Sequence, residues 1–243
     1  MRIALIGYGK MGRAVEAEAM KRGHETGLTI DTPEEWQEKE KLLGNCDVAI
    51  EFSTPATAVD NIKRCLSAGM AVVSGTTGWT EHLEEVKAEC ERCEGALFVA
   101  SNFSIGMNIV FELNRRMARF SERFGGYKAS IRETHHIHKL DAPSGTAIHL
   151  ADDMIKVGEG ESWQLVRNWD EPTGEGVIAI EAVREGEVAG IHEVRYDSEV
   201  DRIGLVHEAK SRAGLAQGAV MAAEYLQGRK GFYTMGDMLF EGR

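Results

Sequence analysis

Short apolar runs alternate with amphipathic stretches along the first hundred residues. Each run stops at a glycine or a polar residue, as a strand buried in a parallel sheet does, and the stretches between them have helical periodicity. The predicted strands span residues 2–6, 26–30, 47–52, 70–74 and 96–100, and the predicted helices span 12–22, 56–68 and 81–92. Strands that alternate with helices predict an α/β fold with a doubly wound parallel sheet.

The pattern changes after Asn102. A long amphipathic helix is predicted first, then longer strand-like runs joined by glycine-containing and acidic turns, with one helix after Ser144 and one helix in the tail. The helices span 105–120, 147–155 and 213–226, and the strands span 128–138, 177–184, 190–196 and 201–209. We therefore expect a second α+β domain on a mixed sheet at 105–211, with the first domain formed by 1–104 plus 212–243.

A glycine motif follows the first predicted strand, in the sequence Gly7-Tyr8-Gly9-Lys10-Met11-Gly12. In such a motif the first glycine allows a tight turn, the second lets the backbone approach a pyrophosphate, and the third lets helix and strand pack closely. The motif alone is weak evidence, because a glycine-rich turn also occurs in nucleotide-free α/β folds. Here a strand precedes it and a helix follows, which predicts a Rossmann-type dinucleotide-binding domain.

The acidic residue that ends the second strand bears on the choice of cofactor. Asp31 lies about 20 residues after the motif, where a carboxylate binds the ribose hydroxyls. A carboxylate repels a 2′-phosphate, and the next residue is Thr32 rather than an arginine. We expect NADH to be preferred, while Lys10 leaves NADPH possible.

The segment from Glu133 to Ala147 carries three histidines and a lysine at the end of a predicted strand. A histidine can transfer a proton at neutral pH, and a lysine can pair with a carboxylate. Gly145 and Thr146 begin a helix, whose free N–H groups suit a second carboxylate. The segment therefore predicts a binding site for a small dicarboxylate, with a proton donor.

Three other interpretations of this segment stay open. His136 and His138, which share a face if the strand extends that far, would suit a zinc site with a further ligand. Ser144 would suit a Ser–His–Asp hydrolase, but no nucleophile-elbow pattern surrounds it. The cluster would also suit a solvated strand end.

Cys90 and Cys93 form a single C-x-x-C, which we interpret as structural rather than metal-binding.

Composition narrows the class of protein. The chain has 243 residues, is 43% hydrophobic and 28% charged, and carries a formal net charge of −11. Such a charge argues against bulk binding to nucleic acid but permits a local basic pocket for a small anion. No apolar run approaches the roughly 18 residues of a membrane span, and no signal peptide is evident. We expect a soluble, cytoplasmic protein.

The sequence HHIHKLDAPSGTA at 135–147 closely resembles the signature of the 4-hydroxy-tetrahydrodipicolinate reductases, also called dihydrodipicolinate reductases. Other segments agree with this family in their order along the chain, so that the resemblance covers nearly all of it. They are GYGKMG at 7–12, SGTTG at 74–78, SNFSIGMN at 101–108, GIHEV at 190–194 and KSRAGLAQGA at 210–219.

The resemblance implies a reductase of the diaminopimelate and lysine pathway. It implies that His135 is the proton donor and that Lys139 pairs with a substrate carboxylate. It also implies a homotetramer formed through the second domain's sheet, and no metal. The implied substrate-binding residues are His136, Gly145 and Thr146, and the implied nicotinamide loops contain Gly75, Thr76, Thr77, Asn102 and Phe103. Another amino-acid pathway dehydrogenase, or a non-catalytic NAD-binding regulator, remains the alternative.

Overall fold

The computed structural model describes residues 1–240 of the chain. The described residues form two compact units. The first consists of Met1–Ile105 and the residues from Arg212 onward, and the second is Gly106–Ser211. The predicted boundary at 104 lies one residue before the observed one.

The first unit is built on a six-stranded parallel sheet in the order β2-β1-β3-β4-β5-β11. Its strands are β1 (Arg2–Ile6), β2 (Glu25–Ile30), β3 (Val48–Glu51), β4 (Ala71–Ser74), β5 (Ala96–Val99) and β11 (Gly231–Tyr233). Its helices are α1 (Lys10–Lys21), α2 (Pro33–Lys39), α3 (Pro55–Ser67), α4 (Leu83–Arg92), α7 (Ala213–Tyr225) and α8 (Met235–Phe240). Short 3-10 helices span Glu40–Asn45 and Thr80–His82.

Alternate residues of these strands face two separate apolar layers. On one face Ala4, Ile6 and Val72 pack with helices α2, α3 and α4. On the other face Ile3 and Leu5 pack with helices α1 and α7. Since α1 follows β1 and α3 follows β3, the chain leaves two neighbouring strands toward opposite faces. The crevice at the carboxyl ends of β1 and β3 is where a doubly wound sheet binds its ligand.

The second unit is built on a five-stranded mixed sheet in the order β10-β9-β6-β8-β7. β6 pairs in parallel with β8 and antiparallel with β9. Its strands are β6 (Lys128–His135), β7 (Ser162–Val166), β8 (Val177–Arg184), β9 (Ile191–Asp197) and β10 (Arg202–Glu208), and its helices are α5 (Ile105–Phe124) and α6 (Gly145–Lys156). One face of the sheet packs on both helices around residues such as Ile131, Ile180 and Leu150. The central strand β6 ends at His135, where the polar segment predicted to bind the substrate continues.

The strand predicted for 128–138 is shorter than expected. β6 ends at His135, and the chain then turns, with the Lys139 N–H donating to the His136 carbonyl. The alternation that would place His136 and His138 on one face of a strand is therefore wrong. The hydrophobic pattern predicts no helix or strand at the positions of α2, β7, β11 and α8.

Candidate functional site

The glycine turn after β1 has two positions where a side chain cannot fit. Gly7 has a positive φ of 88°, and a Cβ there would lie 2.1 Å from the Phe52 carbonyl oxygen. A Cβ on Gly12 would lie 2.4 Å from the carbonyl oxygen of Gly7. Glycine is therefore required at both positions, so that the turn packs against β3 and α1 can start close to β1.

Gly9 differs from Gly7 and Gly12 because its Cβ position is open. Apart from the residues next to it in the chain and the backbone of α1, no atom lies within 4 Å of that position. It is also the N-cap of α1, and no side chain caps this helix end. Free N–H groups beside open space are what a pyrophosphate needs. The turn therefore fits a dinucleotide cofactor, with Lys10 and Met11 in the first turn of the helix.

Carboxylates surround the end of β2. The Tyr8 N–H donates to Asp31 Oδ1 at 2.6 Å, and the Asp31 N–H donates to Glu35 Oε2 at 2.7 Å. Glu34 and Glu35 form the acidic first turn of α2, which begins after Thr32. Asp31 is thus fixed to the glycine turn, and two further carboxylates stand close to it in the sequence.

The loop after β4 contains three of the predicted nicotinamide-binding residues. A Cβ on Gly75 would lie 2.1 Å from the ring of Phe52, so a side chain at this position would displace that ring. The Thr76 hydroxyl donates to Glu51 Oε1 at 2.8 Å, and Thr77 is exposed. The loop therefore lies against the end of β3, beside the glycine turn.

The predicted loop residues Asn102 and Phe103 follow β5. The Asn102 side-chain oxygen accepts the Ser104 N–H at 2.9 Å. The Phe103 ring is buried, with its centroid 5.8 Å from those of both Phe52 and Phe98. The ring therefore packs in the core of the first unit, and only the backbone of Phe103 is left to face a cofactor.

In the second unit, His135 lies at the end of β6 beside a buried carboxylate. Its Nδ1 donates to Oε2 of Glu133, which is fully buried, while the Arg184 guanidinium donates to Oε1 at 2.9 Å. Burial alone would raise the pKa of Glu133, but the hydrogen bonds from His135 and Arg184 outweigh it, and the pKa is below its ordinary value. His135 Nε2 lies against Gly190, where a Cβ would approach to 3.0 Å.

A second histidine lies next to this pair. The His192 ring is 5.1 Å from the His135 ring, and its Nε2 is 3.2 Å from Ser144 Oγ. Burial, together with the nearby positive charge of His135, lowers the pKa of His192 to about 3. His192 is therefore neutral at physiological pH.

The remaining predicted substrate residues lie on the turn and at the start of α6. Lys139 Nζ is 2.8 Å from Asp141 Oδ1. Gly145 is exposed at the first position of α6, and no atom lies within 4 Å of the position where its Cβ would be. His136 Nδ1 is buried without a hydrogen-bond partner. An ammonium group, an open helix N-terminus with Thr146 as its second residue, and an unsatisfied imidazole nitrogen suit an anionic ligand.

These observations weigh against the other interpretations. Across residues 1–240, no three His, Cys, Asp or Glu side chains are grouped so that they could hold a metal ion. Ser144 is buried, and its hydroxyl accepts the Ala147 N–H as the N-cap of α6, so it is not accessible as a nucleophile. The burial of Glu133 excludes a merely solvated strand end. No helix among the described residues is long and apolar enough to cross a membrane.

Two family models together match almost the whole chain. The model described as dihydrodipicolinate reductase, N-terminus, matches residues 1–103, and the model described as dihydrodipicolinate reductase, C-terminus, matches residues 106–239. The chain belongs to the dihydrodipicolinate reductase family. This confirms the resemblance drawn from the sequence segments, and it makes the chain a pyridine-nucleotide-dependent oxidoreductase.

Relatives of known name agree with this family. A 4-hydroxy-tetrahydrodipicolinate reductase of Christiangramia forsetii is 42% identical over 240 residues, covering 98% of each chain. One of Methanopyrus kandleri is 37% identical and covers 90% of this chain and 79% of its own. The solved structure of a dipicolinate-bound dihydrodipicolinate reductase from Paenisporosarcina sp. TG-14 has a TM-score of 0.75, 23% identity and 99% coverage of both chains. The last match supports the fold.

Sequence reasoning assigned no role to several residues that the structure brings to this dihydrodipicolinate reductase site. Glu133 stands two residues before His135, and strand alternation alone would have placed the two on one face. Arg184 pairs with His135 in the register of β6 and β8, and His192 pairs with Glu133 in the register of β6 and β9. Such pairings follow from strand order, for which the sequence carried no direct signal.

Proposed function

We propose that this chain reduces 4-hydroxy-tetrahydrodipicolinate, by way of dihydrodipicolinate, to tetrahydrodipicolinate, with NADH as the preferred cofactor. The observation that carries the proposal is the Glu133–His135 pair with its buried carboxylate, which lies beside the start of α6, where the Ser144 N–H donates to Glu133 Oε1 at 3.1 Å. Membership of the dihydrodipicolinate reductase family supports the same activity. The reaction belongs to the diaminopimelate and lysine pathway.

The first unit would bind the cofactor. Gly7, Gly9 and Gly12, with Lys10 and Met11, would hold the pyrophosphate at the start of α1, and Asp31 would bind the adenosine ribose. The loops that would surround the nicotinamide contain Gly75, Thr76, Thr77, Asn102 and Phe103. When bound, the cofactor supplies the hydride that adds to the substrate ring.

His135 would supply the proton. Glu133 accepts the Nδ1 hydrogen, which fixes the orientation and the tautomer of the ring. The proton to be donated is therefore carried on Nε2, the nitrogen next to Gly190. As hydride adds, negative charge develops through the conjugated system of the substrate, and the transfer of this proton neutralises it.

Lys139, Gly145, Thr146 and His136 would bind the two carboxylates. The Lys139 ammonium has three N–H donors, so it can pair with a substrate carboxylate while it remains beside Asp141. The N–H groups at the start of α6 offer a second carboxylate a fixed position. Two anchored carboxylates set the orientation of the ring for the transfer of hydride.

One assay tests both the reaction and the choice of cofactor. Pyruvate and aspartate semialdehyde are condensed by a separate enzyme, and the oxidation of NADH and of NADPH is followed at 340 nm as the purified chain is added. We expect turnover, with a higher kcat/KM for NADH because Asp31, Glu34 and Glu35 repel a 2′-phosphate. Asp31→Asn should lower the ratio of kcat/KM for NADH to kcat/KM for NADPH.

The two parts of the proposal fail separately. Absence of turnover with either cofactor would overturn the activity. Turnover with a clear preference for NADPH would leave the activity in place and overturn the role of Asp31. Identical cofactor ratios in the wild type and in Asp31→Asn would also count against that role.

A further inference from the structure

A carboxylate lies buried at the carboxyl end of the first unit's sheet. Glu51 is the last residue of β3, and no part of it is exposed to solvent. In the strand register it stands between Ile6, the last residue of β1, and Ser74, the last residue of β4. These two strands lead into the glycine turn and into the loop 75–77. Glu51 therefore stands between the two segments that would hold the cofactor.

Four neutral groups donate hydrogen bonds to this carboxylate. Oε1 accepts the Ser53 N–H at 2.9 Å, the Ser53 hydroxyl, and the Thr76 hydroxyl at 2.8 Å. Oε2 accepts the Ser74 hydroxyl at 2.7 Å. Burying a carboxylate costs free energy unless its oxygens accept hydrogen bonds, so the folded state is more stable when these donors point at Glu51. Glu51 therefore determines how the donors are oriented.

The loop 75–77 is also held from two other directions. The Phe52 ring packs against Gly75 so closely that a Cβ there would overlap it. The buried Trp79 indole N–H donates to the Thr76 carbonyl at 2.7 Å. Because the Thr76 hydroxyl points at Glu51, this hydroxyl is not directed toward a ligand. Thr76 would then contribute to binding through the shape of its loop.

We propose that Glu51 is a positioning residue that holds the loop 75–77 in the shape that receives the nicotinamide. It acts through the hydroxyl of Thr76 and through the turn at Ser53, and it does not touch the cofactor. This inference rests on the proposed function, because it requires a nicotinamide to bind beside that loop.

Two ligands separate the effect of Glu51 on this loop from its effect on the whole first unit. NADH carries a nicotinamide, whereas ADP-ribose shares the adenosine and pyrophosphate and lacks the nicotinamide. In Glu51→Gln one oxygen acceptor becomes an N–H donor facing hydroxyls that also donate, so the network must rearrange. We expect the Kd for NADH to rise roughly tenfold, the order of one hydrogen bond to a charged group, and the Kd for ADP-ribose to stay within about twofold.

Variants of Thr76 test the path of the effect. Thr76→Val removes the donated hydroxyl and keeps the shape of the side chain, so it should weaken NADH as Glu51→Gln does. Thr76→Ser keeps the hydroxyl and should recover most of the NADH affinity that Thr76→Val loses. The double variant Glu51→Gln with Thr76→Val should lose little beyond Glu51→Gln alone, since the contact that Thr76→Val removes is one of those that Glu51→Gln already disrupts.

Val86→Ala controls for stability alone. Val86 is buried on α4, and its truncation removes apolar contacts but none of the hydrogen bonds to Glu51 or Thr76, so that it should lower the melting temperature and leave the network in place. Ligand affinities of all variants are compared below their melting temperatures, where Val86→Ala should bind NADH normally. An equal loss of NADH and ADP-ribose affinity in Glu51→Gln, or no loss, overturns the positioning role. Failure of the wild type to bind NADH while it binds ADP-ribose overturns the proposed function, and the inference with it.

Discussion

At the scale of single residues, a histidine that donates a proton needs its second ring nitrogen held by a fixed partner. Glu133 provides this partner to His135, and Arg184 compensates the charge of the buried carboxylate. The neutral His192 beside them does not compete for the proton. His135 thus lies between an ionised carboxylate and a neutral imidazole.

Removal of the imidazole should affect turnover more than binding. We expect His135→Ala to lower kcat by roughly 10²–10⁴-fold, the usual contribution of a general acid, with the Kd for NADH within about twofold of the wild type. Steady-state kinetics and fluorescence titration with NADH measure the two quantities.

The same segment offers a matched control. His138 is three residues away, is exposed, and lies 3.2 Å from Glu187. His138→Ala should change kcat by less than about twofold, since the exposed ring is hydrogen-bonded to Glu187 and not to Glu133. Unchanged turnover in His135→Ala would show that another group donates the proton.

The buried His192 should make stability depend on pH. Its pKa is about 3 in the folded protein against an ordinary 6.5, so the unfolded chain binds a proton that the folded chain does not. The contribution of His192 to stability is fully present above pH 6.5 and is lost as the pH falls toward 3. Over this range it lowers the free energy of unfolding by at most about 1.4 kcal/mol per pH unit.

Thermal unfolding followed by circular dichroism at pH 7 and at pH 5 measures this loss. His192→Gln, which does not titrate, should show a smaller decrease in melting temperature between the two pH values than the wild type. An identical decrease in both proteins would mean that His192 is not the group responsible.

At the scale of elements, the glycine turn and α1 combine two separate requirements. Gly12 is required by packing, because a Cβ would meet the Gly7 carbonyl, whereas Gly9 faces open space. The same substitution at the two positions should therefore have opposite consequences for stability and for binding.

We expect Gly9→Ala to keep the melting temperature close to that of the wild type and to raise the Kd for NADH roughly tenfold, because its methyl group enters the space of the pyrophosphate. Gly12→Ala should lower the free energy of unfolding by about 2 kcal/mol, the usual cost of an overpacked contact. Calorimetry of binding and of unfolding measures both. A destabilised Gly9→Ala would show that this position serves packing.

The elements that the sequence predicted are those with a strong periodic pattern. β1 and α1 follow directly from a short apolar run and an amphipathic stretch around the glycine motif. β11 has three residues, and β7 is largely exposed, so neither carries a pattern that differs from a loop. The end of β6 was placed too late, because the histidines that follow it continue a polar pattern into a turn.

The candidate site was predictable to the same extent. His135, Lys139 and the start of α6 lie in one continuous segment, which local residue types and the family resemblance both singled out. Arg184 and His192 reach His135 only through the pairing of β6 with β8 and β9. The sequence predicts Glu51 only as part of a strand, since nothing in it distinguishes a carboxylate buried among hydroxyls from an exposed one.

At the scale of the whole molecule, the two units divide the proposed tasks, with the glycine motif in the first and the His135 cluster in the second. The sheet of the second unit has one face covered by α5 and α6. We expect its other face to join copies of the chain into a homotetramer. Light scattering after gel filtration should give four times the 26.8 kDa mass of one chain. A monomer mass at micromolar concentration would contradict this prediction.

The first unit is assembled from both ends of the polypeptide, and this has a consequence during synthesis. When the ribosome has made residues up to Ser211, the segments that form β1 to β5 have been synthesised, but α7, which packs on β3 and β4 and contacts Phe98, and the edge strand β11 have not. The part of the sheet's apolar face that α7 covers then stays exposed to solvent while the second unit is translated. A truncated product that ends at Ser211 should therefore bind chaperones, because apolar side chains of its first unit stay exposed.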